Sequence, residues 1–128
     1  MTKGCVYLIR CYKNSDIFYK IGRSTQIMRR TQNICNDFKF DKVDLLLYGY
    51  SDDYKVKELH FLRTIHQMGY GNPDVRFYID SEFLELDRKG IEFVKKLFIC
   101  SYGTDLNVEE NFLDESEMKE VMKNKEII

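Results

Sequence analysis

The hydrophobic positions fall first into dense, β-favouring runs and later into helix-spaced ones. Cys5-Val6-Tyr7-Leu8-Ile9-Arg10-Cys11 and Ile17-Phe18-Tyr19-Lys20-Ile21 flank a Lys13-Asn14-Ser15-Asp16 turn, which predicts a hairpin. Ser24 or Thr25 is placed to cap a short helix over about 26–35, and residues 42–50, apolar at their centre, read as a third strand. The Ser51-Asp52-Asp53 cluster then introduces a run at 54–68 free of glycine and proline, a capped helix ending at Gly69. Residues 70–74 are a loop, 75–79 a short strand, and Asp80-Ser81 the cap of a helix reaching about 99. Phe83, Leu86, Phe93, Val94 and Leu97 share one face of that helix.

This order predicts a small α/β domain of the α+β kind, β-β-α-β-α with a mainly antiparallel central sheet flanked by helices and an extra C-terminal helix. The domain is expected over 1–104, followed by an acidic tail at 105–128. That tail has a possible amphipathic helix at 114–123, ordered by docking through Phe112, Leu113, Met118 and Val121. With 128 residues, one core is expected. The longest purely apolar run, Cys5-Val6-Tyr7-Leu8-Ile9, is far below the roughly 18 residues of a membrane span, and Leu45-Leu46-Leu47-Tyr48 is shorter still. No signal-like segment opens the chain, so an intracellular site, cytoplasm or host nucleus, is expected, with no membrane partner.

Charge changes the picture. The chain has 20 basic and 21 acidic side chains, yet residues 1–30 hold seven bases against Asp16 alone, a local charge of +6. Residues 105–128 hold three lysines against eight acids, a local charge of −5. The basic end can meet phosphate, and the acidic end can repel it or fold back on the basic surface. Cys5, Cys11, Cys35 and Cys100 have no paired spacing, and His60 and His66 complete no zinc pattern. Reduced thiols are the simplest reading, and neither histidine is a strong catalytic candidate.

Glu58 is the most informative position. On a helical wheel Tyr54, Phe61, Leu62 and Ile65 lie beside it, with Leu59 and Met68 flanking, so a carboxylate stands inside the apolar arc. Such a group needs a base, a metal or several donors. The plain reading pairs it with a lysine or arginine at the core edge. The hairpin adds Tyr7 and Lys20, able to share a face, then Gly22, expected to let the backbone turn into the 23–30 segment. A phenol, an ammonium and guanidinium groups on one surface can grip a phosphodiester, while ordinary cross-strand pairs are the plain alternative.

Gly4-Cys5-Val6-Tyr7-Leu8-Ile9, then Tyr19-Lys20-Ile21-Gly22-Arg23-Ser24, Arg30, Glu58 and Arg76-Phe77-Tyr78-Ile79 together resemble the GIY-YIG endonuclease superfamily. The branch is the T5orf172-like one of phages and large DNA viruses, in which the second motif is often KIG. The resemblance covers roughly residues 4–87.

The resemblance implies a DNA phosphodiester hydrolase, with RNA as an alternative substrate. Tyr7 would be general base or proton relay, Arg30 and Lys20 would contact phosphate, and Glu58 would hold one Mg²⁺ or Mn²⁺. Arg23, Arg29, Lys13 and Asn72 are further candidates for the nucleic-acid surface, Asn72 by location alone. Cys5 stands where the family has glycine, and Lys20 replaces a phenol with a cation, so a catalytically degenerate module binding nucleic acid or protein is the rival reading. A homodimer or a protein partner would enlarge the small surface that one domain offers. Strand alternation should aim Tyr19 at the face opposite Lys20.

Overall fold

The computed structural model describes residues 3–69, 83–84 and 86–109. Strand β1 (Gly4–Lys13) and strand β2 (Asp16–Ser24) form an antiparallel hairpin, closed by Asn14 and Ser15 between the paired Lys13 and Asp16. Asn14 adopts φ +56°, the left-handed conformation that asparagine tolerates and two-residue hairpin turns favour. Helix α1 (Ile27–Asp37) follows, then strand β3 (Lys42–Ser51) on the other side of β1. Helix α2 (Tyr54–Gln67), strand β4 (Phe83–Leu84), helix α3 (Arg88–Tyr102), a 3₁₀ turn at Gly103–Asp105 and strand β5 (Asn107–Val108) complete the described chain. The five strands lie in the order β4-β2-β1-β3-β5, antiparallel throughout. Among the described residues no helix is long and apolar enough to cross a membrane.

Both faces of the sheet are buried, which explains why the β1 strand shows no apolar/polar alternation. Cys5, Tyr7, Ile9, Cys11 and Phe18 pack with Ile27, Ile34 and Phe40 on the α1 face. Val6, Leu8, Tyr19 and Ile21 pack with Phe61 and Ile65 of α2 and with Val94, Phe98 and Tyr102 of α3 on the other. Tyr19 thus lies where strand alternation puts it, against Leu84 of β4. A bulge in β3, opposite the Leu8–Ile9 step, turns both Leu46 and Leu47 to the α2/α3 face. Gly49 is open to this face because the Tyr102 ring fills its side-chain space, 2.5 Å from where a Cβ would stand.

Three boundaries differ from the sequence reading. The last long helix begins at Arg88 rather than after Asp80-Ser81, because Phe83–Leu84 is extended against β2 and Asp87 supplies the cap, accepting from the Gly90 N–H at 2.7 Å. Its buried stripe is Gly90, Val94, Phe98 and Tyr102, an i, i+4 series, while Leu86, Phe93 and Leu97 only flank it. Helix α1 starts one step later than expected, but Ser24 still holds its entry, its Oγ accepting from the Gln26 N–H at 2.9 Å. Helix α2 keeps its expected start at Tyr54 without a side-chain cap, and Leu59 and Met68, which flank the apolar arc on the wheel, are exposed. The sheet also continues beyond residue 104, through Leu106 packed on the core and the β5 pairing to Leu47 and Tyr48. The strand expected at 75–79 and the helix expected at 114–123 lie outside the described residues.

Candidate nucleic-acid interface and catalytic site

The site begins in the hairpin register. Tyr7 stands opposite Gly22, and Ile9 opposite Lys20, so Tyr7 and Lys20 do share the α1 face of the sheet. The Tyr7 hydroxyl end lies over Gly22, with its Cζ 2.5 Å from where a Cβ on that residue would be. Gly22 therefore does not turn the chain, as its residue type had suggested. The strand runs straight through it to Ser24, and its missing side chain is the seat of the Tyr7 phenol.

Lys20 is fully buried beside it. An ammonium removed from water costs several kcal/mol before its partners are counted. Its positive charge reaches Cys11 and favours that thiolate, but burial outweighs it and pushes the Cys11 thiol up to about 12. Burial likewise holds Cys5 at about 11.

Glu58 sits on the opposite face. It belongs to the buried stripe of α2 with Phe61 and Ile65, as the wheel indicated, and is 8% exposed. Its Oε1 is 3.8 Å from Nη1 of Arg23, the residue after Gly22. The plain reading of Glu58, a base at the core edge, is thus realised. The pair is long and the Arg23 side chain is 47% exposed, so it is worth at most about 1 kcal/mol. Successive strand residues point to opposite faces, so the Gly22-Arg23 dipeptide joins Tyr7 on one side to Glu58 on the other. Strand β4 pairs with β2 only at Tyr19 and Lys20, and beyond them the outer edge of β2 has no strand partner among the described residues.

Arg30 is exposed on the first turn of α1, beside the buried Ile27–Ile34 line. With Arg29, Asn33, Ser24, Thr25 and Gln26 it lines a polar depression where β2 passes into α1. No acid occupies the first turn of this helix, so its positive end and two guanidinium groups face the same solvent. Ser24 and Thr25 were singled out only as helix caps, and Asn33 and Gln26 not at all, though the i, i+3 relation of Arg30 to Asn33 could have flagged the former. Lys13 stands apart. Its ammonium donates to the Phe38 carbonyl at 3.2 Å, six strand positions or about 20 Å from Tyr7. Asn72 lies outside the described residues, and His60 and His66 are exposed on α2.

No cluster of three or more histidine, cysteine, aspartate or glutamate side chains occurs among the described residues. A lone carboxylate is still compatible with Mg²⁺, which keeps several waters and takes one or two protein carboxylates plus phosphate oxygens.

Comparison with curated proteins and with solved structures gives no significant match. Family comparison does: the T5orf172 domain matches residues 4–99, from the start of β1 almost to the end of α3, and includes Tyr7, Lys20, Arg30 and Glu58. The protein belongs to the T5orf172 domain family, in keeping with its GIY-YIG-like pattern.

Proposed function

We propose that the protein is a metal-dependent endonuclease that hydrolyses DNA phosphodiester bonds at the Gly22–Ser24 rim. The observation that supports this most is the link from the Tyr7 phenol through Gly22 and Arg23 to the Glu58 carboxylate. It sets a proton-handling group and a carboxylate on either side of an arginine-bearing strand edge. Arg30 and Arg23 hold the non-bridging oxygens of the phosphate. Water attacks phosphorus, and the new P–O bond forms as the bond to the leaving sugar oxygen breaks. In this reading Tyr7 takes or relays the proton of the attacking water, which requires that water to reach the buried phenol at its seat over Gly22. Glu58 would hold Mg²⁺ or Mn²⁺, which would offset the charge developing on the phosphate and the leaving oxygen. Lys20 stands on the same face of the sheet as Tyr7, where it would serve the phosphate contact.

The burial of Lys20 and of Tyr7, both 0% exposed, favours a second reading in which the same arginine surface binds DNA without cutting it. Cleavage of supercoiled and branched DNA with Mg²⁺ or Mn²⁺ separates the two. The wild type is expected to nick, with Tyr7→Phe and Glu58→Gln at least 100-fold slower, because proton transfer and metal charge each supply factors of that order. Binding of the same DNA should persist in both variants. Wild-type activity no higher than that of Glu58→Gln, with binding intact, would leave only the binding module.

A further inference from the structure

A groove of about 540 Å³ opens between the end of α2 and the first half of α3. Its described lining is Met68, Arg88, Lys89, Glu92, Phe93 and Lys96, so three bases and one acid surround two apolar side chains. It lies on the α2/α3 side of the sheet, which is also the side of Glu58. The two helices are antiparallel neighbours. Lys57, near the start of α2, donates to Ser101 Oγ near the end of α3 at 2.8 Å, and the Phe61 and Phe98 rings are 4.5 Å apart. The Met68 end of α2 therefore stands beside the Arg88 end of α3. Met68 is 58% exposed and Phe93 only partly buried, which leaves the groove an apolar floor in contact with water. Lys89, Phe93 and Lys96 fall at i, i+4 and i+7, one stripe of α3 with the ring between two exposed ammonium groups.

We propose that this groove holds a single strand of DNA, with a base on the Phe93 ring and Met68 and the flanking phosphates on Lys89 and Lys96. Charge and apolar surface together select that occupant. Three bases less one acid leave the lining at +2, which attracts phosphate. A duplex keeps its bases stacked inside and gains nothing from an apolar floor, whereas an unpaired base offers a π-face to an aromatic ring. The spacing fits as well. Seven residues of helix set the two lysines about 10 Å apart along the axis, roughly three steps of a strand with 3.4 Å between phosphates. Met68 lies ten residues beyond Glu58 on α2, about 15 Å along that helix, or roughly four such steps. The proposal rests on the nuclease reading in one respect: it makes the substrate a DNA with an unpaired arm, cut at the Gly22–Ser24 rim and held further along in the groove.

The test measures binding by the full chain without metal, so it stays readable whether or not the protein cuts. The probes are a fluorescent oligothymidine, a blunt duplex, and the same duplex with a single-stranded oligothymidine arm. Wild type should bind the armed duplex at least about fivefold more tightly than the blunt one, the gain expected from one base stacked on an aromatic ring. Lys89→Gln/Lys96→Gln should weaken oligothymidine binding and lower the slope of log affinity against log salt by about 1.4, the share of two single-strand phosphates. Phe93→Leu keeps the groove filled without a ring and should lose the arm's advantage with the salt slope unchanged. Thermal unfolding followed by circular dichroism confirms that each variant is folded. Equal affinity of wild type for armed and blunt duplex overturns the proposal. So does an unaltered salt slope in the lysine variant, or a Phe93→Leu protein that keeps the full advantage of the arm. Failure of the nuclease reading has a different signature, an arm-dependent affinity without any cleavage once Mg²⁺ is added.

Discussion

The phenol of Tyr7 fills the space that a side chain on Gly22 would need, so these two paired strand residues are a single unit in which one supplies the group and the other its room. A methyl on Gly22 would stand 2.5 Å from Tyr7 Cζ, in a layer closed by α1. Gly22→Ala should lower stability by about 1–3 kcal/mol, as overpacking of a filled core does. It should also displace the phenol and reduce DNA cleavage as far as Tyr7→Phe does. Chemical denaturation and nicking assays on the one variant check both, and a variant as stable and as active as wild type would separate the two residues.

Removing the Arg23 guanidinium tests the other half of the rim. Its contact with Glu58 is long and half in water, so Arg23→Ala should change stability by less than about 1 kcal/mol. In the metal-dependent reading Glu58 then becomes more available, and the Mg²⁺ concentration needed for half-maximal nicking should fall while weaker phosphate contact lowers DNA affinity. A metal requirement that rises instead would show that Arg23 helps to position the ion.

Alkaline pH should destabilise the fold. The Cys5 and Cys11 thiols are raised from 9.0 to about 11 and about 12 because burial penalises the thiolate. The folded protein keeps these protons when the unfolded chain releases them, so stability is complete below about pH 9 and is lost as pH rises toward 11 and 12. Thermal unfolding followed by circular dichroism between pH 8 and pH 10.5 should show the decline. Cys11→Ala should flatten it, and an unchanged slope in that variant would assign it elsewhere, for instance to the raised Tyr102 and Tyr50 hydroxyls.

Phe98 is the keystone of the second core. It is fully buried, with its ring 4.5 Å from that of Phe61 and 6.2 Å from that of Tyr102. Phe98→Ala should cost about 3–5 kcal/mol, within reach of global unfolding for a domain of this size. Phe93, which the sequence placed on the apolar face with Val94 and Leu97 while passing over Phe98, is only partly buried and should cost clearly less on the same substitution.

Where sequence patterns have a short period, they carried most of the fold. The hairpin, the third strand and Glu58 inside an apolar stripe all follow from local spacing, and the wheel around Glu58 is correct at Phe61 and Ile65. The last helix was legible only in part, because a two-residue strand such as Phe83–Leu84 has no period of its own and borrows its conformation from β2. The site was legible as residue types rather than as layers. Motif spacing grouped Tyr7, Lys20, Arg30 and Glu58, and the hairpin let Tyr7 and Lys20 share one face, but nothing local showed that Glu58 approaches from the other. That division depends on α1 and α2 covering opposite sides of the sheet, which is long-range information. The role of Gly22 was misread for a related reason: a glycine that makes room and a glycine that turns the chain look alike in one dimension.

The second half of the chain touches both outer rims of the sheet, through β4 on β2 and β5 on β3, and α3 is the brace between them. Each rim contact is only two residues long and has little strength of its own. Both therefore depend on α3 staying seated, and loosening one helix would bare the backbone amides and carbonyls of β2 and β3 together. The protein thus guards two sticky borders with one fastening, and strand-to-strand aggregation should begin when that helix lifts rather than when the hairpin opens.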